Sequence, residues 1–360
     1  MRPGPRRRPP PIRLFAAALV LSALAVFAVG ETRAQPIARR GGSVGTDGGA
    51  VVLAYSRFGD DELGANGIRI DQFEEHLSEL RTGNYTVLPL ARIVRALSAG
   101  DPLPDRTVAI TIDEASRSFH QLALPRLRAA GLPFTLFVSP DPLDRGAPTH
   151  MSWAELRDTV SAGAEFGALP TSPVPMPARS HAENRAAILR SIERLKAELG
   201  MAPTLLAYPY GEHGASHRAL AEALGLEAAF GQQSGVAWRG TDRFALPRFV
   251  MNDTFGGLER FVLAANALPL PVADVVPADP LLRQNPPAVG FTIGPVAESL
   301  DRLACFATGI GRTALERLEP DRIEIRLAEP LPPGRTRINC TLPAGEGRWR
   351  WFGMQFFVPG

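Results

Sequence analysis

A chain of 360 residues, 45% of them hydrophobic, has room for one large domain with a proper core and a small second one. Six of its 39 basic residues (Arg2, Arg6, Arg7, Arg8, Arg13 and Arg33) stand in the first 34 positions against one acid, Glu31, which leaves 33 basic and 36 acidic residues, a net charge of −3, in the remainder. A mildly acidic body gives a nucleic-acid role no electrostatic support.

Arg6 to Arg8 precede a mostly apolar run from Leu14 to Val29, and Thr32-Arg33-Ala34 follows before Gln35. A charged segment, an apolar segment and a small-residue cleavage site in that order read as a secretory signal peptide over residues 1–34. The alternative is an uncleaved anchor, 16 residues long against a span of about 20. Either way the folded part is expected outside the cytoplasm, periplasmic or secreted, with no transmembrane segment after cleavage. Residues 35–49, ending GGSVGTDGG, read as a flexible lead-in.

Val51 to Tyr55 is a first strand. The helix opening at Arg69 carries Phe73, Leu77 and Leu80 on one face, and His76, among polar neighbours, reads as a surface residue. Tyr85 to Leu88 and the helix from Leu90 to Leu97 repeat the alternation. Val108 to Ile112, rich in β-branched residues, is then a buried strand that stops at two consecutive acids, Asp113 and Glu114. In α/β sheets and barrels functional groups gather at the carboxyl ends of strands, so this pair is a site candidate; the alternative is a solvated turn that caps the next helix. Phe119, Leu122, Leu124, Leu127 and Leu132 recur at helical spacing, Gly131 and Pro133 close that helix, and Phe134 to Val138 is a second buried strand. Repeated βα units with short connections imply a parallel sheet.

Met151 to Leu156 opens another helix, with Ser152 as N-cap and Glu155 as its capping-box partner, and Gly163 ends it. Ile188, Ile192, Leu195 and Leu199 mark an amphipathic helix over 182–199, closed by Gly200. Leu205 to Tyr208 is a strand, and Pro209-Tyr210-Gly211 turns sharply after it. His213 and His217 have the spacing of a helical metal pair, but Gly211, Gly214 and Ser216 around them read as loop. Residues 266–290, Pro-rich, read as a stiff linker or a strapped connection. From 291 to 360, alternation such as Arg322 to Leu327, with turns such as Pro332-Pro333-Gly334, suits a small β-sandwich. Cys305 and Cys340 fit a disulfide in an oxidising compartment, worth about 3 to 4 kcal/mol in the chain-entropy model. In Arg348-Trp349-Arg350-Trp351-Phe352 the two indoles share a strand face, either to stack on sugar rings or to pack against the neighbouring domain.

TIDE at 111–114, followed by a helix and GLPFTLFV, resembles the first motif of the polysaccharide deacetylases, the NodB-homology or carbohydrate esterase 4 family. YPYG at 208–211 resembles that family's third motif, and the likeness runs through roughly residues 50–265. The resemblance implies a distorted, incomplete (β/α) barrel over 50–265. It further implies Asp113 as general base and Glu114 as ligand of a zinc-type divalent metal. Tyr208, Pro209 and Gly211 would line the substrate groove, with a backbone N–H near Tyr210 stabilising an oxyanion. Arg248 would orient the base, the alternative being an ordinary ion pair at the barrel end.

The second motif departs from the family. Its two metal imidazoles fall, aligned on Gly167, on Leu169 and Pro173, and neither side chain has a lone pair to donate. Ser56 stands where the family often has a histidine, and no histidine follows His217 to serve as the late general acid. Family descent therefore implies an exported hydrolase that removes acetyl groups from N-acetylated or O-acetylated polysaccharides or oligosaccharides. The alternatives are a lapsed enzyme that keeps the groove and binds glycan without turnover, and a scaffold whose C-terminal domain recruits a partner.

Overall fold

The computed structural model describes residues 48–59, 67–170 and 175–360, together with Met1 and Gly4. The expected signal peptide, most of the 35–49 lead-in and Pro173 lie outside the described residues. In chain order the first part holds β1 (Gly49–Tyr55), β2 (Arg57–Phe58), β3 (Gly67–Ile68), α1 (Ile70–Thr82), β4 (Thr86–Val87), α2 (Leu90–Ala99), β5 (Thr107–Asp113), α3 (Leu124–Ala130), β6 (Thr135–Val138), α4 (Pro140–Asp144), α5 (Trp153–Ser161) and β7 (Glu165–Ala168). It continues through α6 (His181–Leu199), β8 (Leu205–Ala207), α7 (Ala215–Ala223), β9 (Ala228–Phe230), β10 (Val236–Trp238), β11 (Phe249–Val250) and α8 (Leu258–Ala265).

Strands β1, β5, β6, β7, β8 and β9 lie side by side, each pair parallel, in a curled sheet. The 246–250 segment reaches both of its edges: Leu246 bridges Phe230 at the end of β9, and Phe249 and Val250 pair with Leu53 and Ala54 of β1. The sheet is thus parallel, as the repeated βα units imply, and curls into the distorted (β/α) barrel that the resemblance implies. The two faces of β1 feed two different cores, as a strand's period of two requires. Val51, Leu53 and Tyr55 pack with the surrounding helices, while Ala50 and Val52 join Ala109, Phe137, Ala207 and Phe230 on the other face.

The helix caps follow local chemistry. Ser152 accepts from the Glu155 backbone N–H, and Glu155 accepts from the Ser152 N–H at 2.7 Å, the capping box expected there; Ser180 and Glu183 form a second. One expected helix is split: Phe119–Ala123 is a π-helical turn and only Leu124–Ala130 is α-helical. Pro125 has no N–H to donate, so a regular ladder through this point is one bond short.

His76 is a correction. It is fully buried, its Nδ1 3.0 Å from the Tyr55 hydroxyl and its Nε2 2.8 Å from the Gly256 carbonyl, and its ring stacks on Phe261 at 4.0 Å. The loop reading of Ser216 and His217 also gives way, because both lie in the first turn of α7.

The second part holds β12 (Leu268–Pro269), β13 (Val272–Val276), β14 (Val289–Ile293), β15 (Ala304–Ala307), β16 (Gly311–Arg312), β17 (Ala314–Arg317), β18 (Arg322–Arg326), β19 (Gly334–Pro343) and β20 (Trp349–Val358). One sheet runs β12-β20-β19-β15-β16 and the other β13-β14-β18-β17. Their inner faces share a core of Phe291, Ile293, Ile323 and Ile325 with Ile338, Leu342, Met354 and Phe356, which makes this part a β-sandwich. The Cys305–Cys340 disulfide joins directly opposed residues of β15 and β19. The 266–290 stretch is not a connection outside the sandwich: it contributes β12 and β13, and its prolines fall at strand ends and turns.

Barrel and sandwich belong to one compact unit, Val44–Gly360. Of the two expected roles for the indoles, the structure places Trp351 against the barrel, edge-on to Phe249 at 5.2 Å and under the Arg260 guanidinium, also at 5.2 Å. Among the described residues no helix is long and apolar enough to cross a membrane.

Candidate functional site

At the carboxyl ends of the barrel strands lies a cleft of about 220 Å³. Ser56 reaches it from the end of β1, Arg57 from the start of β2, Asp113 and Glu114 from the end of β5, Ser139 from the end of β6, Leu169 and Pro170 from the end of β7, Pro209 and Tyr210 from the end of β8, and Gln232 from beyond β9.

Asp113 is the last residue of β5 and is 8% exposed. Arg248, fully buried, grips it with both nitrogens, Nη1 to Oδ1 at 2.6 Å and Nη2 to Oδ2 at 2.9 Å. The same guanidinium donates from Nε to the Gly231 carbonyl at 2.9 Å and lies over the Phe137 ring. Fork geometry of this kind fixes a carboxylate in plane and direction.

Glu114 follows in a left-handed backbone conformation, φ 63°. Burial pushes its carboxyl above the ordinary range, Arg57 opposes that shift, and Asp113 adds to it. The Arg57 Nη2 lies 3.4 Å from Glu114 Oε2. Tyr210 also sits at positive φ, 57°, with its side chain at the surface. Strained non-glycine backbone concentrates where surrounding structure over-determines it, often at ligand sites, and here two such residues border one cleft.

His150 was not singled out by sequence. An antiparallel bridge between Ser116 and His150 brings it beside the strand end that carries the two acids, and it lines the cleft. Its Nδ1 is 3.0 Å from Thr149 Oγ1. Burial, and then the charges of Arg57 and Arg145, hold its imidazole below the ordinary pKa, so it is neutral at pH 7. Arg57 was likewise missed. Both come from segments whose relation to Asp113 exists only in the fold.

Other expected site residues fall elsewhere. Tyr208 is fully buried, donates its hydroxyl to the Phe244 carbonyl at 3.0 Å and stacks on His213 at 4.7 Å; it does not line the cleft. Gly211 stands behind the cleft at φ 70°, where a Cβ would overlap the Gln232 backbone nitrogen. Of the groove residues expected from YPYG, Pro209 and Tyr210 are in the wall.

Among the described residues the donors at the cleft do not fit a divalent ion. Leu169 lines the cleft with an apolar side chain, Glu114 faces Arg57, and Asp113 is gripped by Arg248. His213 bonds the Gly211 carbonyl, and His217 accepts from the Gly214 N–H through Nδ1 while its Nε2 meets Met176 and Asn184. His120 lies 3.6 Å from Glu155. Among the described residues no group of three or more histidine, cysteine, aspartate or glutamate side chains could hold a metal.

A curled parallel barrel with an acid pair at the end of β5 defines a class before it defines a chemistry. Residues 100–229 match the family model described as polysaccharide deacetylase. Solved structures with the same fold include the Streptococcus pyogenes deacetylase PplD in complex with acetate, 18% identical, TM-score 0.56, covering 61% of this chain and 99% of that one. IcaB from Ammonifex degensii is 22% identical with a TM-score of 0.54, covering 61% and 98%. The polysaccharide deacetylase BC0361 from Bacillus cereus is 17% identical with a TM-score of 0.53, covering 61% and 69%. No curated protein matches the sequence.

Proposed function

We propose that this is an exported protein of polysaccharide deacetylase type that binds N-acetylated or O-acetylated glycan in the cleft and does not turn it over by metal-activated water. The observation that carries this reading is the donor set: an apolar Leu169 in the wall and a guanidinium, Arg57, facing Glu114. Hydrolysis by the family's route needs an ion to lower the pKa of its water, and affinity for that ion collapses with a single carboxylate. The exposed Tyr210 ring, the neutral His150 and the hydroxyls of Ser56 and Ser139 suit uncharged sugar with amide and hydroxyl groups. Export is supported by the leader and by the disulfide, which fits an oxidising compartment.

Hydrolysis is the second reading, and the Asp113–Arg248 pair favours it because a carboxylate held by a fork is also what an oriented base needs. Calorimetry with N-acetylglucosamine oligomers, with and without chelator, alongside metal analysis and acetate release, separates the two. Binding indifferent to chelator with no acetate released is the expected result. Stoichiometric zinc with chelator-sensitive acetate release would overturn it.

A further inference from the structure

The wall of the cleft that holds Tyr210 and Gln232 is not supported by the barrel alone. The Arg335 Nη1 donates to the Tyr210 carbonyl at 3.2 Å and to Glu212 Oε1 at 3.1 Å. The Gln355 Nε2 donates to the same Tyr210 carbonyl at 3.3 Å. Gln355 in turn accepts from Arg337 Nε at 2.9 Å, and Arg337 Nη2 donates to Gln232 Oε1 at 3.1 Å. One connected chain thus runs from Gln232 through Arg337 and Gln355 to the Tyr210 carbonyl, and on through Arg335 to Glu212.

The sandwich's own geometry builds this row. Arg335 and Arg337 are two apart on β19 and therefore share a face, and Arg337 stands directly opposite Gln355 on β20. The carbonyl they meet belongs to a residue at φ 57° that is 43% exposed. A left-handed tyrosine persists only where its surroundings hold it, and two of the donors on its carbonyl come from the sandwich.

We infer that the C-terminal sandwich is part of the glycan site: Arg335, Arg337 and Gln355 are positioning residues that hold the Tyr210 turn and Gln232 as one wall, with the Tyr210 ring as a platform for the apolar face of a sugar. This rests on the reading of the cleft as a glycan site. The sandwich acts through the turn and does not touch the ligand.

The test uses the full chain with Gln355→Glu, which keeps the side chain's size and its acceptor for Arg337 but replaces the N–H aimed at the Tyr210 carbonyl with a second oxygen. Amide hydrogen exchange at Gly211 and Glu212, whose N–H groups are bonded to the Tyr208 and Pro209 carbonyls, is expected to quicken by about fivefold, the loss of one net hydrogen bond. Affinity for an N-acetylglucosamine tetramer falls by a similar factor. Adding Gln355→Glu to Tyr210→Ala changes affinity no further, because both act through one ring, and Arg335→Lys retains more affinity than Arg335→Ala. Unchanged exchange at 211–212, or additive losses in the double variant, would overturn the inference. If the parent protein binds no oligomer, the glycan reading falls, and the exchange result still decides whether the sandwich positions the turn.

Discussion

Arg248 shows how much one side chain at the site bears on the whole. It is fully buried and in fork contact with Asp113, which is itself nearly buried. Arg248→Met would strand the Asp113 carboxylate, and roughly 3–5 kcal/mol of stability should be lost in urea unfolding. Asp113→Leu combined with Arg248→Met should recover most of that, because no buried charge is left unpaired; a double variant as unstable as the single would refute the account. His76 carries a second prediction. Burial depresses its pKa to about 4, so the folded state refuses a proton that the unfolded chain takes up near 6.5. Its neutral form is fully compatible with folding above that value, and stability is lost as pH falls from about 6.5 towards 4. Between pH 7 and pH 5 the loss from this one group is about 2 kcal/mol, and unfolding curves of His76→Gln should show a pH dependence smaller by that amount. The position was readable: Phe73, His76, Leu77 and Leu80 stand at i, i+3, i+4 and i+7, one face of a helix. Polarity of its sequence neighbours was the wrong signal, because a helix places those neighbours on other faces. Asp113, Glu114 and Arg248 were legible because strand ends and a motif mark them, whereas His150 and Arg57 reach the cleft through pairings that no local pattern encodes.

Elements were legible wherever period and punctuation agreed. The strand expected over 108–112, observed as Thr107–Asp113, the Ser152 capping box and the helix closed by Gly200 at φ 79° all stand as their residues imply. The Pro-rich stretch misled because proline frequency measures the absence of donors, not the absence of structure. The β13 strand is at the edge of its sheet and needs fewer donors than a central one. The YPYG turn yields a sharper prediction. Gly211 lies at φ 70°, and the Gln232 backbone occupies the space its Cβ would need. Gly211→Ala therefore combines a left-handed penalty of about 1 kcal/mol with a clash against main chain that cannot swing aside. Thermal unfolding should show a loss of more than about 1 kcal/mol, whereas Gly225→Ala, at φ 77° with open space around it, should lose no more than that. Equal losses at the two positions would mean that the Gln232 contact is unimportant.

At the scale of the molecule, barrel and sandwich share more than a covalent connection. Arg348 Nη1 reaches Asp105 at 2.8 Å, and Trp351 joins Phe249 and Arg260 of the barrel. Interfaces of this kind, with an aromatic anchored in a partner's side chains, couple the unfolding of the parts they join. The disulfide lies wholly within the sandwich, bridging two residues 35 apart in sequence. Its removal as Cys305→Ala/Cys340→Ala should withdraw about 3–4 kcal/mol by the chain-entropy estimate. In a loosely tethered pair that loss would appear as a separate early transition, the sandwich melting while the barrel stayed folded. With the interface described, unfolding of the double variant, followed by near-ultraviolet circular dichroism and by calorimetry, should stay a single transition shifted to lower temperature. Adding Trp351→Ala, which removes the indole between Phe249 and Arg260, should then split it in two. A split already present in the double variant would mean that the sandwich folds independently of the barrel, and the support that Arg335 and Gln355 lend the Tyr210 turn could then be withdrawn without unfolding the site's other walls.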